Sequence, residues 1–127
     1  MKNNAMSNYK TLDAWKVSME LVKEIYLLTK QFPKEELYGL TSQIRRSAVS
    51  IPTNIAEGLG RQYKKDTLQF FYVSRGSIYE LETLINIGLM ANIISENDFQ
   101  KLLPPIERAL KLLYGLIKSY ETRTDLK

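Results

Sequence analysis

The chain has 127 residues, with 18 Lys plus Arg against 14 Asp plus Glu, and neither His nor Cys. Without Cys there is no disulfide framework, thiolate nucleophile, iron–sulfur cluster or thiolate zinc site, and without His there is no imidazole base, His-ligated metal or Ser-His-Asp triad. The net charge of +4 is a mild excess that permits a nucleic-acid partner without requiring one.

The length suits one domain with one core. No apolar run approaches the ~18 residues of a membrane span. Residues 1–8 are polar and lack the apolar centre of a secretory signal, so a cytoplasmic protein is expected. Residues 1–10 read as a flexible arm, 11–123 as the folded domain and 124–127 as a tail.

Apolar residues recur every three or four positions, which predicts an all-α chain. The first helix is expected over 12–31, capped by Thr11. Leu12, Trp15, Met19, Val22 and Tyr26 form its seam, Leu21, Ile25, Leu28 and Phe32 widen it, and Pro33 ends it. The second is expected over 35–59, with a seam of Leu37, Leu40, Ile44, Ser47, Ile51, Asn54 and Gly58. Half of that seam is small or polar. Pro52 lies inside it, which predicts a kink or brief break and an orphaned Ala48 carbonyl.

The third helix is expected over 64–91. Thr67, Phe71, Ser74, Ile78, Leu81, Ile85 and Gly88 fall on one line, Phe70, Val73, Leu84 and Ile87 flank it, and Asn92 is the stop. The fourth opens at Ser95-Glu96-Asn97-Asp98, a capping-box pattern with Asp at its third helical position. Phe99, Leu103, Ile106, Leu110, Leu113, Ile117 and Tyr120 follow. Pro104 and Pro105 predict either a kink or a restart at Pro104. Short connections between helices of ~30–40 Å favour an antiparallel up-and-down four-helix bundle.

One stretch departs from routine bundle sequence: Gln43-Ile44-Arg45-Arg46-Ser47-Ala48-Val49-Ser50-Ile51-Pro52-Thr53-Asn54-Ile55-Ala56-Glu57-Gly58. Arg46, Ser50, Asn54 and Glu57 form a continuous stripe, and the next helix supplies Arg75-Gly76-Ser77 and Glu80-Leu81-Glu82. The structural reading is a polar network of Arg45, Arg46, Ser50, Asn54, Glu57, Ser77 and Glu80. In it Arg45 or Arg46 pairs with Glu80, and Asn54 satisfies carbonyls freed by Pro52. The competing reading is a ligand, RNA or subunit contact.

This string, together with Trp15 and the Tyr- and Leu-rich last helix, resembles the four-helix bundle proteins encoded in intervening sequences of bacterial 23S ribosomal RNA genes. The resemblance extends over about residues 9–122. It implies a small bundle that assembles into a homo-oligomeric ring, typically a pentamer. A related branch, the accessory variability proteins of diversity-generating retroelements, is a basic pentameric ring that works with a reverse transcriptase and its template RNA. By analogy, RNA or a nucleoprotein is the implied partner.

The residues themselves offer three classes of function. For RNA binding, the candidates are Arg61, Lys64, Lys65, Lys118 and Arg123, which an antiparallel bundle brings toward one end; five copies at +4 would carry about +20 around one axis. For a protein-assembly scaffold, the wide apolar faces of the first and last helices and the off-seam Tyr72 and Tyr79 are the signal. Against an enzyme, Glu57 and Glu80 lack any metal-ligand pattern, Ser50 lacks a base, and Gly58-Leu59-Gly60 lacks the Lys-Ser/Thr of a phosphate loop. No cofactor, metal, membrane or small-molecule substrate is expected.

Overall fold

The computed structural model describes residues 9–125, so the outer part of the expected arm (1–8) and the end of the tail (126–127) lie outside the described residues. Among the described residues there are four α-helices: α1 (Asp13–Thr29), α2 (Ser42–Leu59), α3 (Lys64–Met90) and α4 (Glu96–Thr122). Each packs on its neighbours in the chain, and α1 closes on α4. Contacts such as Ser50–Ser77 and Thr67–Gly58 between α2 and α3, and Tyr79–Tyr114 and Tyr72–Glu121 between α3 and α4, run in opposite senses, so neighbours are antiparallel. The all-α up-and-down bundle is therefore the observed architecture. No described helix is long and apolar enough to cross a membrane.

Several local expectations are corrected. Helix α1 begins after Leu12, which occupies the N-cap position expected of Thr11. Its buried row is Ala14, Ser18, Leu21, Ile25 and Thr29, while Met19 and Tyr26 of the expected seam are exposed. The helix is rotated because Ser18 and Thr29 are cheap to bury. Each hydroxyl donates to the carbonyl four residues back, Ala14 O at 2.6 Å and Ile25 O at 2.8 Å, and neither bulk nor an unpaired group remains.

Helix α2 begins at Ser42 rather than Glu35. The segment before it is a 3-10 turn (Lys34–Glu36) and a π-helical turn (Leu37–Thr41) with non-helical Gly39, where Glu36 Oε1 accepts from Leu40 N at 3.4 Å. Leu37 is consequently exposed. The expected break at Pro52 does not occur, because α2 runs on through it and its ring is buried. Helix α4 likewise passes through Pro104 and Pro105 without a restart. The carbonyls those prolines leave without a donor belong to Gln100 and Lys101, both solvent-exposed residues.

Two ends match their sequence signals. Ser95 Oγ accepts from Asp98 N at 3.1 Å. At the end of α3, Asn92 adopts φ 62°, Ile93 N bonds Gly88 O at 2.9 Å and Asn92 N bonds Leu89 O at 3.1 Å. That is the double bond pattern of a Schellman termination, and Asn tolerates the left-handed position.

The α2–α3 contact is the closest in the bundle. Ser74 Oγ donates to Ile51 O (2.8 Å) and Thr67 Oγ1 to Gly58 O (2.7 Å). A Cβ at Gly58 would lie 3.0 Å from Phe71 Cε1 and 3.0 Å from Thr67 O, whereas one at Gly76 would meet nothing within 4 Å. Gly58→Val is therefore expected to lower stability by about 1–3 kcal/mol through overpacking, while Gly76→Ala raises it by up to about 1 kcal/mol through helix propensity. Denaturant unfolding of the two variants checks both signs.

Candidate nucleic-acid interface

The end of the bundle that carries the α2–α3 turn also carries the end of α4. Lys64, at the start of α3, donates from Nζ to Arg123 O at 2.8 Å, which ties these two candidate residues together across the chain. Arg61 lies just beyond α2, its guanidinium 4.5 Å from the Phe70 centroid and 3.8 Å from Glu57 Oε2. Arg123 forks onto Asp125 (3.1 and 2.9 Å) and lies over Tyr120. That pairing holds the Asp125 carboxyl below its ordinary range. Lys65 is exposed beside Lys64, and Lys118 is exposed further back along α4. Four of the five candidates thus share one end, with Arg61 and Arg123 partly neutralised by carboxylates, and Lys118 extends the set along the α4 surface.

The seven residues of the expected polar network do not form one unit. Three of them do. Asn54 Nδ2 donates to Ser50 Oγ (2.9 Å) and Ser50 O (2.8 Å), the Ser50 and Ser77 hydroxyls are 2.8 Å apart, and Ser77 Oγ donates to Val73 O (3.1 Å). Because the Ser77 proton goes to Val73, Ser50 is the donor between the serines. The relay runs Asn54 to Ser50 to Ser77 to Val73, joining α2 to α3 without a charge. Asn54 thus caps the Ser50 carbonyl, not that of Ala48, which Pro52 leaves without its donor.

The expected Arg–Glu80 pair is absent. Arg45 turns the other way, toward α1, where Nε donates to Thr29 Oγ1 at 2.8 Å and the guanidinium lies 4.7 Å from the Tyr26 centroid. Arg46 and Glu80 are exposed, and among the described residues neither is in an ion pair. Glu57 is exposed too and meets only Arg61, so it does not face Glu80. Water screens and solvates these charges, which removes the drive for a pair between α2 and α3. Glu80→Ala is accordingly expected to change stability by less than about 0.5 kcal/mol, and Ser77→Ala to cost about 1 kcal/mol by breaking the relay, both read from thermal melts.

A second cluster joins Arg75 and the off-seam Tyr72 and Tyr79 to Tyr114. On the outer face of α3 and α4, Arg75 Cζ lies 5.1 Å from the Tyr72 centroid and 5.3 Å from that of Tyr114. The Tyr79 and Tyr114 hydroxyls are 2.7 Å apart, and Tyr72 donates to Glu121 Oε2 at 2.6 Å. The spacing of Tyr72, Arg75 and Tyr79 along one helix face was legible. Tyr114 joins them only through the α3–α4 register.

The family model described as 23S rRNA-intervening sequence protein matches residues 10–115. The chain belongs to this family. The fold has a solved counterpart. A crystal structure of a protein of unknown function from the S23 ribosomal protein family of Bacteroides thetaiotaomicron aligns with a TM-score of 0.76 at 23% identity, over 83% of this chain and 98% of that one. No functionally curated protein matches the chain. Within this family member, the two sites differ in chemistry: the end is cationic, the lateral face aromatic with one clamped guanidinium.

Ionisation follows from the bonds on that face. Donation to the Glu121 carboxylate raises the Tyr72 phenol above the ordinary tyrosine value of 10.0, and the bond to Tyr114 raises that of Tyr79. For Tyr72 the neutral phenol is the donor, so its bond to Glu121 is complete below the ordinary value and is lost as pH rises through the elevated one, whereas between Tyr79 and Tyr114 either hydroxyl can donate. Glu121→Ala is expected to bring the Tyr72 ionisation down toward the ordinary range, read from phenolate absorbance in an alkaline titration.

Proposed function

We propose that this protein is a non-catalytic cytoplasmic bundle that assembles into a homopentameric ring and associates with RNA or a nucleoprotein through its basic end. The observation that carries the reading is the convergence of Arg61, Lys64, Lys65 and Arg123 at one end of the bundle, tied by the Lys64–Arg123 bond. Membership of a family described by its place in 23S rRNA genes supports a nucleic-acid setting. A ring repeats that end around one axis, and repetition turns a mild excess into a field that attracts phosphate.

Light scattering tests assembly, since a mass near the 14.7 kDa of one chain refutes the ring. A mobility-shift titration with structured RNA at two salt concentrations tests binding. The triple variant Lys64→Gln, Lys65→Gln, Lys118→Gln is expected to bind more weakly and to lose about two to three units of the slope of log affinity against log salt. Absence of binding at low salt, or binding without a salt slope, refutes RNA association.

A second reading, an assembly scaffold with a protein partner, is favoured by one feature. Trp15, Met19, Val22, Val49, Pro52 and Ala56 line an open groove of about 470 Å³ between α1 and α2, ending at Tyr9. A specific protein partner recovered without RNA supports that reading over the first.

A further inference from the structure

The outer face of α3 and α4 holds a guanidinium whose position is fixed and whose donors are unspent. Arg75 is half-buried between the rings of Tyr72 and Tyr114. Each ring is held from its far side, Tyr72 by Glu121 and Tyr114 by Tyr79. Among the described residues Arg75 makes no ion pair and no hydrogen bond, only these ring contacts. A guanidinium has five N–H donors in a planar fork suited to a phosphate or carboxylate. Here the fork lies against two rings whose own hydroxyls are bonded, and its donors face no partner within the described residues.

Two glycines mark the same surface. Gly76 lies between Tyr72 and Tyr79, and Gly115 between Lys111 and Lys118, each four residues after one neighbour and three before the other. Both sit inside regular helix, where glycine is disfavoured. A Cβ at either would touch nothing within 4 Å, so no packing within the chain explains them. They leave backbone bare beside the aromatic rings and the lysines, where a ligand would approach closely.

We propose that this face binds single-stranded nucleic acid, with Arg75 on a backbone phosphate and a base stacked on the Tyr79–Tyr114 pair. The proposal rests on the RNA reading above and adds a second contact to it. Lys65 and Lys118 lead from the basic end to Arg75, and Lys111 continues beyond. A strand is favoured over a duplex because ring faces need an unstacked base. It is favoured over a protein partner because Lys111 and Lys118 lie one turn to either side of Tyr114 along α4, and protein interfaces are depleted of lysine.

The test compares a short labelled oligouridylate with a fully paired RNA hairpin by fluorescence anisotropy. Arg75→Gln and the double variant Tyr79→Leu, Tyr114→Leu are each expected to weaken oligouridylate binding at least about tenfold. Arg75→Gln should also lower the salt slope by roughly 0.7. Arg75→Lys, which keeps the charge but not the fork, should fall between, and hairpin binding should change little. Thermal melts and light scattering confirm that each variant is folded and assembled.

The proposal is overturned by oligouridylate affinities that stay at the wild-type value in both Arg75→Gln and the tyrosine variant. Equal loss of both probes overturns it too, since that is a general charge effect. So does disassembly of Arg75→Gln, which makes the face a subunit contact. Hairpin binding unchanged in the lysine variant, with oligouridylate binding still lost in Arg75→Gln, would sink the basic-end reading alone, and wild-type protein that binds neither probe sinks both. Ultraviolet cross-linking of oligouridylate to the unsubstituted protein gives an independent readout. Adducts at Tyr79 or Tyr114 support the site, and adducts confined to Tyr38 or Tyr63 overturn it.

Discussion

Helices α2 and α3 approach closely because their facing residues are small and because the hydroxyls among them bond to backbone across the gap. Gly58 admits Phe71 and the Thr67 carbonyl, Ser74 reaches the Ile51 carbonyl, and Thr67 reaches the Gly58 carbonyl at the C-terminal end of α2. These bonds satisfy groups that burial would otherwise leave without water. They also set a single register, since a side chain that bonds one particular carbonyl does not tolerate a shift of a turn. The positions of α1 and α4 follow from that pair. Arg45 reaches α1 at Thr29, and Tyr79 reaches α4 at Tyr114.

The same register determines the surface. It brings the end of α4 beside the start of α3, which gathers Lys64 and Arg123 at the basic end. It also aligns Tyr114 with Arg75, so that a cation and aromatic rings from two helices become one patch. The interior is apolar or neutral, its buried hydroxyls hydrogen-bonded except that of Thr41, and the charged side chains Arg46, Glu57 and Glu80 of the polar signature lie outside it. Burying an ion pair costs desolvation that a neutral relay of Asn54, Ser50 and Ser77 avoids. The serines and glycines of the seam therefore lie apart from the exposed cations and tyrosines of the surface.

Much of this was legible in residue order. The α3 line from Thr67 to Gly88 is buried as its spacing predicts, because a core helix exposes its period directly. The termini of α3 and α4 carried local chemistry in Asn92 and Ser95 that needs no partner helix. The seam of α1 was less legible. Ser18 and Thr29 read as polar, and only their bonds to their own backbone make them core residues. Of the two outcomes that each proline signal allowed, a kink or an interruption, the continuous helices remove the interruption. The candidate site was legible as a set of cations, but the partners of Arg61, Arg123 and Arg45 were not.

Composition alone excluded the imidazole and thiolate chemistry that helical bundles use for metals and catalysis, since a missing side chain is missing in every fold. Periodicity alone determined four helices, and short connections their antiparallel order. The register between helices was decided by tertiary packing, because it depends on which hydroxyl meets which carbonyl across a gap. With it came the relay in place of an ion pair, the convergence of the basic end, and the clamped Arg75. Residues 39 positions apart in the chain, Arg75 and Tyr114, share a site only because two helices lie at one particular offset.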